Sequence, residues 1–135
     1  MRLNVPFTAL IVLALAGATA TAVRSEDQAP PDPVPMYPEN YTVLFEDEHV
    51  RVLDFRLRKG DTEVFHRHPP NVAVFLGEFK IRFQLPDGTT ALREARTGEV
   101  AYSNKPVIHS PENIGGTDAH GILIELKQHP AALNP

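Results

Sequence analysis

Along most of the chain from Tyr41 to Leu126, apolar residues recur at alternate positions. That period of two belongs to strands, and no stretch after residue 40 shows the 3.6-residue period of an amphipathic helix. Thr42 to Phe45 is a short β-prone run. Between His49 and Leu57, Leu53, Phe55 and Leu57 share one face, and Asp54, Arg56 and Arg58 the other. After the turn at Lys59-Gly60-Asp61, Thr62 to His68 reads as a strand with Val64, His66 and His68 on one face. Val72 to Leu76 is almost continuously apolar, which predicts a strand buried on both faces. Phe79, Ile81 and Phe83 alternate with Lys80, Arg82 and Gln84. Pro86-Asp87-Gly88 is a turn, because proline presets φ and glycine tolerates positive φ. Thr89 to Leu92 opens another strand, and Val100 and Tyr102 share a face of the next. Val107 to His109 is a further short strand, Gly115-Gly116 turns, and His120 to Leu126 closes the chain with Ile122, Ile124 and Leu126 in register. Many short strands between closely spaced turns predict an all-β sandwich or barrel.

The first residues follow a different pattern. Arg2 precedes an apolar run from Phe7 to Ala16, and small residues at Ala18, Ala20 and Ala22 follow it. Positive start, apolar run and small-x-small site form the pattern of a cleaved secretory signal. The run falls short of the roughly 20 residues that span a bilayer. Pro30, Pro31, Pro33, Pro35 and Pro38 then predict an extended arm, since proline fixes φ and lacks a donor. The expected organisation is a signal peptide over 1–22, a disordered arm over 23–40, a β-barrel over 41–128 and a tail over 129–135. The chain is therefore expected to be exported, to a periplasm or outside the cell.

Composition narrows the partners. A length of 135 residues suits a single domain. The net charge is −4, and basic residues are scattered apart from Arg56, Arg58 and Lys59. No basic stripe suited to phosphate backbones is present, so nucleic acid is not an expected partner. The chain has no cysteine, which excludes disulfides, thiolate metal sites and cysteine nucleophiles. A lipid-modified N-terminal cysteine is excluded too, so no stable membrane anchor is expected after cleavage.

The informative motif is His66-Arg67-His68. Side chains alternate across a strand, so the two imidazoles project from one face, which Val64 suggests is the inner one. Two neighbouring imidazoles in an apolar interior need partners, and a divalent metal provides one. His109 comes from a later segment, Gly98 to Asn113, and three histidines can converge on one ion. Iron, zinc, manganese, nickel and copper all fit a three-nitrogen set.

These residues resemble the motifs of the cupin superfamily. The first motif is a glycine, five residues, H-x-H and a later glycine, and the chain has Gly60, His66, His68 and Gly77. The second runs from a glycine through a proline turn to a histidine and an asparagine, matched by Gly98, Pro106, His109 and Asn113. The resemblance covers roughly Thr42 to Lys127 and implies a jelly-roll β-barrel, the double-stranded β-helix. The family glutamate falls here at Val72 or Ala73, neither of which binds metal. A carboxylate-free site keeps more positive charge on the ion and favours anionic ligands. The resemblance implies oxygenase, isomerase or lyase chemistry for the enzymes of this class. The alternatives are a non-catalytic ligand- or metal-binding module of the cell envelope and a metal-free structural barrel. Val50 and Val52 make one strand apolar on both faces, and together with the resemblance they suggest a homodimer.

Other residues have plainer readings beside functional ones. His120 shares the parity of Ile122 and Ile124 and can face inward as a fourth ligand, or end a strand in solvent. Glu63 points away from the histidines by alternation unless a bulge brings it round. Tyr102 reads as a core tyrosine or a donor in the pocket. Arg82 reads as solvent-facing or, turned inward, as a partner for an anionic substrate, and Asn113 as a turn residue. His49 and His129 carry no expected role.

Overall fold

A computed structural model describes residues 29–127. The signal segment over 1–22, the first part of the arm, the 129–135 tail and His129 lie outside the described residues. The described residues form one short helix, α1 (Pro33–Met36), and nine strands: β1 (Tyr41–Glu46), β2 (Val50–Leu57), β3 (His66–His68), β4 (Asn71–Phe75), β5 (Phe79–Gln84), β6 (Thr90–Ala95), β7 (Val100–Ser103), β8 (Val107–Asn113) and β9 (Ala119–Leu126). Every pairing is antiparallel. One sheet runs β1-β2-β9-β4-β7 and the other β3-β8-β5-β6. The inner faces of both supply the core, with Leu53, Leu57, Ala73, Phe75 and Leu123 from the first and Phe79, Ile81 and Ala95 from the second. The expected turn at Gly88 forms with a φ of 82°, a conformation glycine adopts without steric cost.

Four expectations change. Residues 29–40 are not an extended arm. Asp32 caps α1 by accepting from Val34 N at 3.0 Å, and Pro33 occupies an early helical position where its missing N–H costs nothing. Pro33 is buried, Pro31 O accepts from Arg67 N at 3.0 Å, and Tyr37 Oη accepts from Val64 N at 2.8 Å. Pro33, with Val34 and Tyr37 packed on the core, thus supplies surface to the barrel, while Pro31, Pro35 and Pro38 stay exposed.

The strand expected over Thr62 to His68 is interrupted. Thr62 pairs with Glu112 and His66 with His109, four steps on one side against three on the other. The extra residue is a bulge, and it reverses the alternation upstream of His66. Val64 is 59% exposed, so it does not mark the inner face, whereas Glu63 is 1% exposed. Pro111 in the facing strand has no N–H to donate, which suits a break in the ladder there.

The parity of β9 is the reverse of that expected. Ala119, Gly121, Leu123 and Glu125 are buried, and His120, Ile122, Ile124 and Leu126 lie on the outer face. Gly121 shows why. A Cβ built there would stand 2.6 Å from Phe55 Cε1 and 2.8 Å from Val74 O, so the inward Phe55 ring requires glycine at that position.

The outer face of the first sheet is also more open than expected. Val72 and Val74 of β4 are half-buried, and Tyr102 is 66% exposed, so Tyr102 is no core residue. No second layer covers that face among the described residues.

Candidate metal centre

The histidines meet where β3 and β8 pair. His66 lies opposite His109, and His68 follows two positions along on the same inner face. His66 and His68 are buried and His109 is half-buried. One nitrogen from each of the three falls within 4.8 Å of the others, close enough to hold a metal ion. The rings pack edge to face, with centroids 4.8–5.4 Å apart.

Their hydrogen bonds decide which nitrogens are free. His66 Nδ1 lies 3.0 Å from Val64 O, and His68 Nδ1 lies 2.8 Å from Glu125 Oε1. Both partners accept only, so each Nδ1 carries the proton and each Nε2 keeps its lone pair. His66 Nε2 and His109 Nε2 stand 3.1 Å apart. Two nitrogens sharing a metal at about 2.0–2.1 Å stand roughly 2.9–3.4 Å apart for bond angles of about 90–109°. The His66–His109 pair therefore stands at the spacing of two ligands on one divalent ion, and the His68 nitrogen lies close enough to join them. Burial lowers His66 to about 4 and His109 to about 3, and the neighbouring imidazoles add to the effect. Near neutral pH both are uncharged, the form that ligates.

Two buried carboxylates stand behind the histidines. Glu125, inward on β9, bonds His68 through Oε1 and accepts from Arg51 Nε through Oε2 at 2.6 Å. Arg51 in turn bonds Asp32 through Nη1 at 2.6 Å and Nη2 at 3.1 Å, tying the segment before α1 to the site. Glu63, swung inward by the bulge, accepts from Asn40 Nδ2 at 2.6 Å and Tyr41 Oη at 2.9 Å, and its Oε2 lies 3.5 Å from His66 Nδ1. Burial raises the Glu63 carboxyl while these two donors pull it back, and burial beside Glu63 pushes the Tyr41 phenol well up. On the cavity side Phe83 stacks on His109, ring centroids 4.7 Å apart and 18° from parallel.

The structure brings His66, His68 and His109 together, sets Glu63 behind them and Tyr102, largely exposed, at the edge of the cavity, and leaves His120, Arg82, His49 and Asn113 apart. His120 faces outward and meets Asp54 at 2.9 Å. Arg82 pairs with Glu112 in solvent, and His49 is exposed. Asn113 is structural. Its amide donates to Leu57 O and Thr117 O at 2.9 Å and accepts from Gly115 N. At the place of the family glutamate, Ala73 faces the cavity and Val72 faces out. The sequence reading missed Glu125, although Gly121 in the same strand signals close approach and so the inner parity.

No family model matches the sequence, and the search of curated proteins returns no match. Solved structures do match. A cupin domain from Bordetella pertussis Tohama I is 22% identical, with 75% of this chain and 98% of that one covered and a TM-score of 0.61. An RmlC-like cupin family protein with a double-stranded β-helix fold from Methanocaldococcus jannaschii is 16% identical over 64% of this chain and 77% of that one, with a TM-score of 0.53. The polyketide cyclase RemF from Streptomyces resistomycificus is 15% identical over 67% and 66%, with a TM-score of 0.52. This chain has the cupin fold, a double-stranded β-helix.

Proposed function

We propose that this is an exported protein that holds a divalent metal through His66, His68 and His109 and acts on a small anionic molecule in the adjoining cavity. The observation that carries the reading is the three-nitrogen cluster, within 4.8 Å, with two of its rings oriented from behind by Val64 O and Glu125. A divalent ion held by these three histidines would supply Lewis-acid chemistry. The protein supplies the rest. Glu125 and Val64 O hold the ligating tautomers, Phe83 fixes the plane of His109, and apolar walls face the ligand. The three-histidine donor set and apolar pocket suit oxygenase, isomerase or lyase chemistry, with iron, zinc, manganese, nickel or copper. Arg2, the Phe7 to Ala16 run and the small residues up to Ala22 support export to a periplasm or beyond. The acidic balance and the lack of a basic stripe support a small-molecule partner over nucleic acid.

One observation favours a second reading, a non-catalytic binding module of the cell envelope. Glu63 and Glu125 both stand behind the histidines, and neither lines the cavity. No carboxylate is therefore placed against a ligand as an acid or base.

The test is elemental analysis of the chain expressed with its own leader and purified from the exported fraction without a histidine tag. A His66→Ala/His68→Ala variant is run beside it. About one equivalent of a divalent metal in the parent and none in the variant is the expected result. A parent that stays empty after reconstitution with each candidate metal overturns the metal site. Turnover by the loaded parent that disappears in His109→Ala separates enzyme from binding module.

A further inference from the structure

The cavity beside the histidines measures about 330 Å³, and Phe55, Phe75, Phe79, Phe83 and Leu123 form much of its wall. Arg93 is the one permanently charged side chain in that wall. Its inward position follows from register. Arg93 lies opposite the buried Ile81, between Ala91 and the buried Ala95, while Leu92 and Glu94 point out. Set in an apolar wall with its side chain 35% exposed, the guanidinium is partly desolvated and needs partners in return. The protein supplies only some of them. Arg93 Nη2 donates to Glu99 Oε1 at 2.7 Å, and the guanidinium carbon lies 5.1 Å from the centre of the Phe75 ring. Arg93 Nε is buried with no acceptor, the one such side-chain atom among the described residues. Glu99 occupies one nitrogen of the guanidinium, and the other terminal nitrogen has no protein acceptor among the described residues.

We infer that the cavity takes an apolar molecule bearing a carboxylate, with the carboxylate on the Arg93 guanidinium and the apolar body against Phe75, Phe79 and Phe83. Glu99 engages only one of the five N–H donors, and the planar fork of arginine matches a carboxylate. A mostly apolar pocket with one placed charge fixes a ligand's direction as well as its class. His109, stacked on Phe83 in the same wall, then faces another part of the ligand. The inference deepens the proposed function by naming the class of molecule. It rests on that reading only for what happens at the histidines.

The test is calorimetric titration of the metal-stripped protein near neutral pH with 4-phenylbutyrate and with 4-phenylbutanol, which share a body and differ in charge. The expected result is at least tenfold tighter binding of the carboxylate by the parent, with the two ligands about equal in Arg93→Met. Glu99→Gln removes the competing carboxylate and is expected to widen the preference severalfold, which keeps the test informative if Arg93→Met does not fold. Equal affinities in the parent, no binding of either probe, a preference that survives Arg93→Met, or no gain in Glu99→Gln would each overturn the inference. Metal content is read separately on the same preparation. A parent that cannot be loaded with metal but prefers the carboxylate ends the metal reading and upholds this one.

Discussion

Glu125 bridges two buried side chains, with Oε1 2.8 Å from His68 Nδ1 and Oε2 2.6 Å from Arg51 Nε. The carboxylate the family motif leads one to expect at Val72 or Ala73 is absent, and a different carboxylate supports the site from behind. From there it orients the His68 imidazole, and it would leave the charge of a bound ion less neutralised than a ligating carboxylate would.

Glu125→Gln keeps the volume and removes the charge that fixes the His68 proton. Metal affinity is expected to fall about 10–100-fold, the usual effect of losing such a partner. Arg51→Met is expected to lower it in the same direction by less, since Glu125 then loses its anchor but keeps its charge. Competition against a chelator of known affinity reads both. Unchanged affinity in Glu125→Gln means that the carboxylate only fills space.

The metal-free protein should lose stability in acid over a definable window. His66 and His109 fall from an ordinary 6.5 to about 4 and about 3 in the folded chain. The unfolded chain therefore binds more protons between those values and 6.5, and stability drops as pH falls through that window. Above 6.5 their contribution is complete. Urea midpoints measured from pH 7.5 to 4 on stripped protein should decline below 6.5, and less so in His66→Gln. A flat profile in the parent contradicts burial of neutral imidazoles.

The period-two pattern made the strands and the H-x-H pair readable, because alternation is a local property of backbone geometry. It could not show which face of a two-sided apolar strand turns inward. In β9 the larger apolar residues Ile122 and Ile124 face out and Glu125 faces in, since Gly121 must admit the Phe55 ring. Glu63 was hidden by the bulge, which only the Thr62–Glu112 pairing reveals. Arg93 lies in an alternation that hydrophobicity alone reads as weak, because its neighbours in register are the small Ala91 and Ala95.

Gly121→Ala tests the packing that sets that parity. The added methyl meets Phe55 Cε1 and Cζ at 2.6 and 2.7 Å and Val74 O at 2.8 Å, so ring and strand must both shift. Overpacking of this kind costs about 1–3 kcal/mol. Denaturant unfolding should show that loss, and Phe55→Leu in the same chain should recover part of it. An unchanged midpoint in Gly121→Ala would mean that Phe55 repacks freely.

The outer face of the first sheet is where a second copy is proposed to sit. Register aligns Phe45, Val52, Ile124, Val72 and Tyr102 in one row across five strands. Phe45 and Tyr102 at its ends are more than half exposed, while the three middle residues are half-buried. A continuous apolar row is self-complementary under a two-fold axis, which the commonest homodimer interface requires. Ile124→Lys places a charge at the centre of the row, away from the cavity. Sedimentation velocity is expected to give the parent twice the chain mass and the variant one, with metal content the same in both. A parent that sediments as a single chain at every accessible concentration removes the dimer and leaves the face to another covering. A variant that remains a dimer moves the contact elsewhere on the barrel.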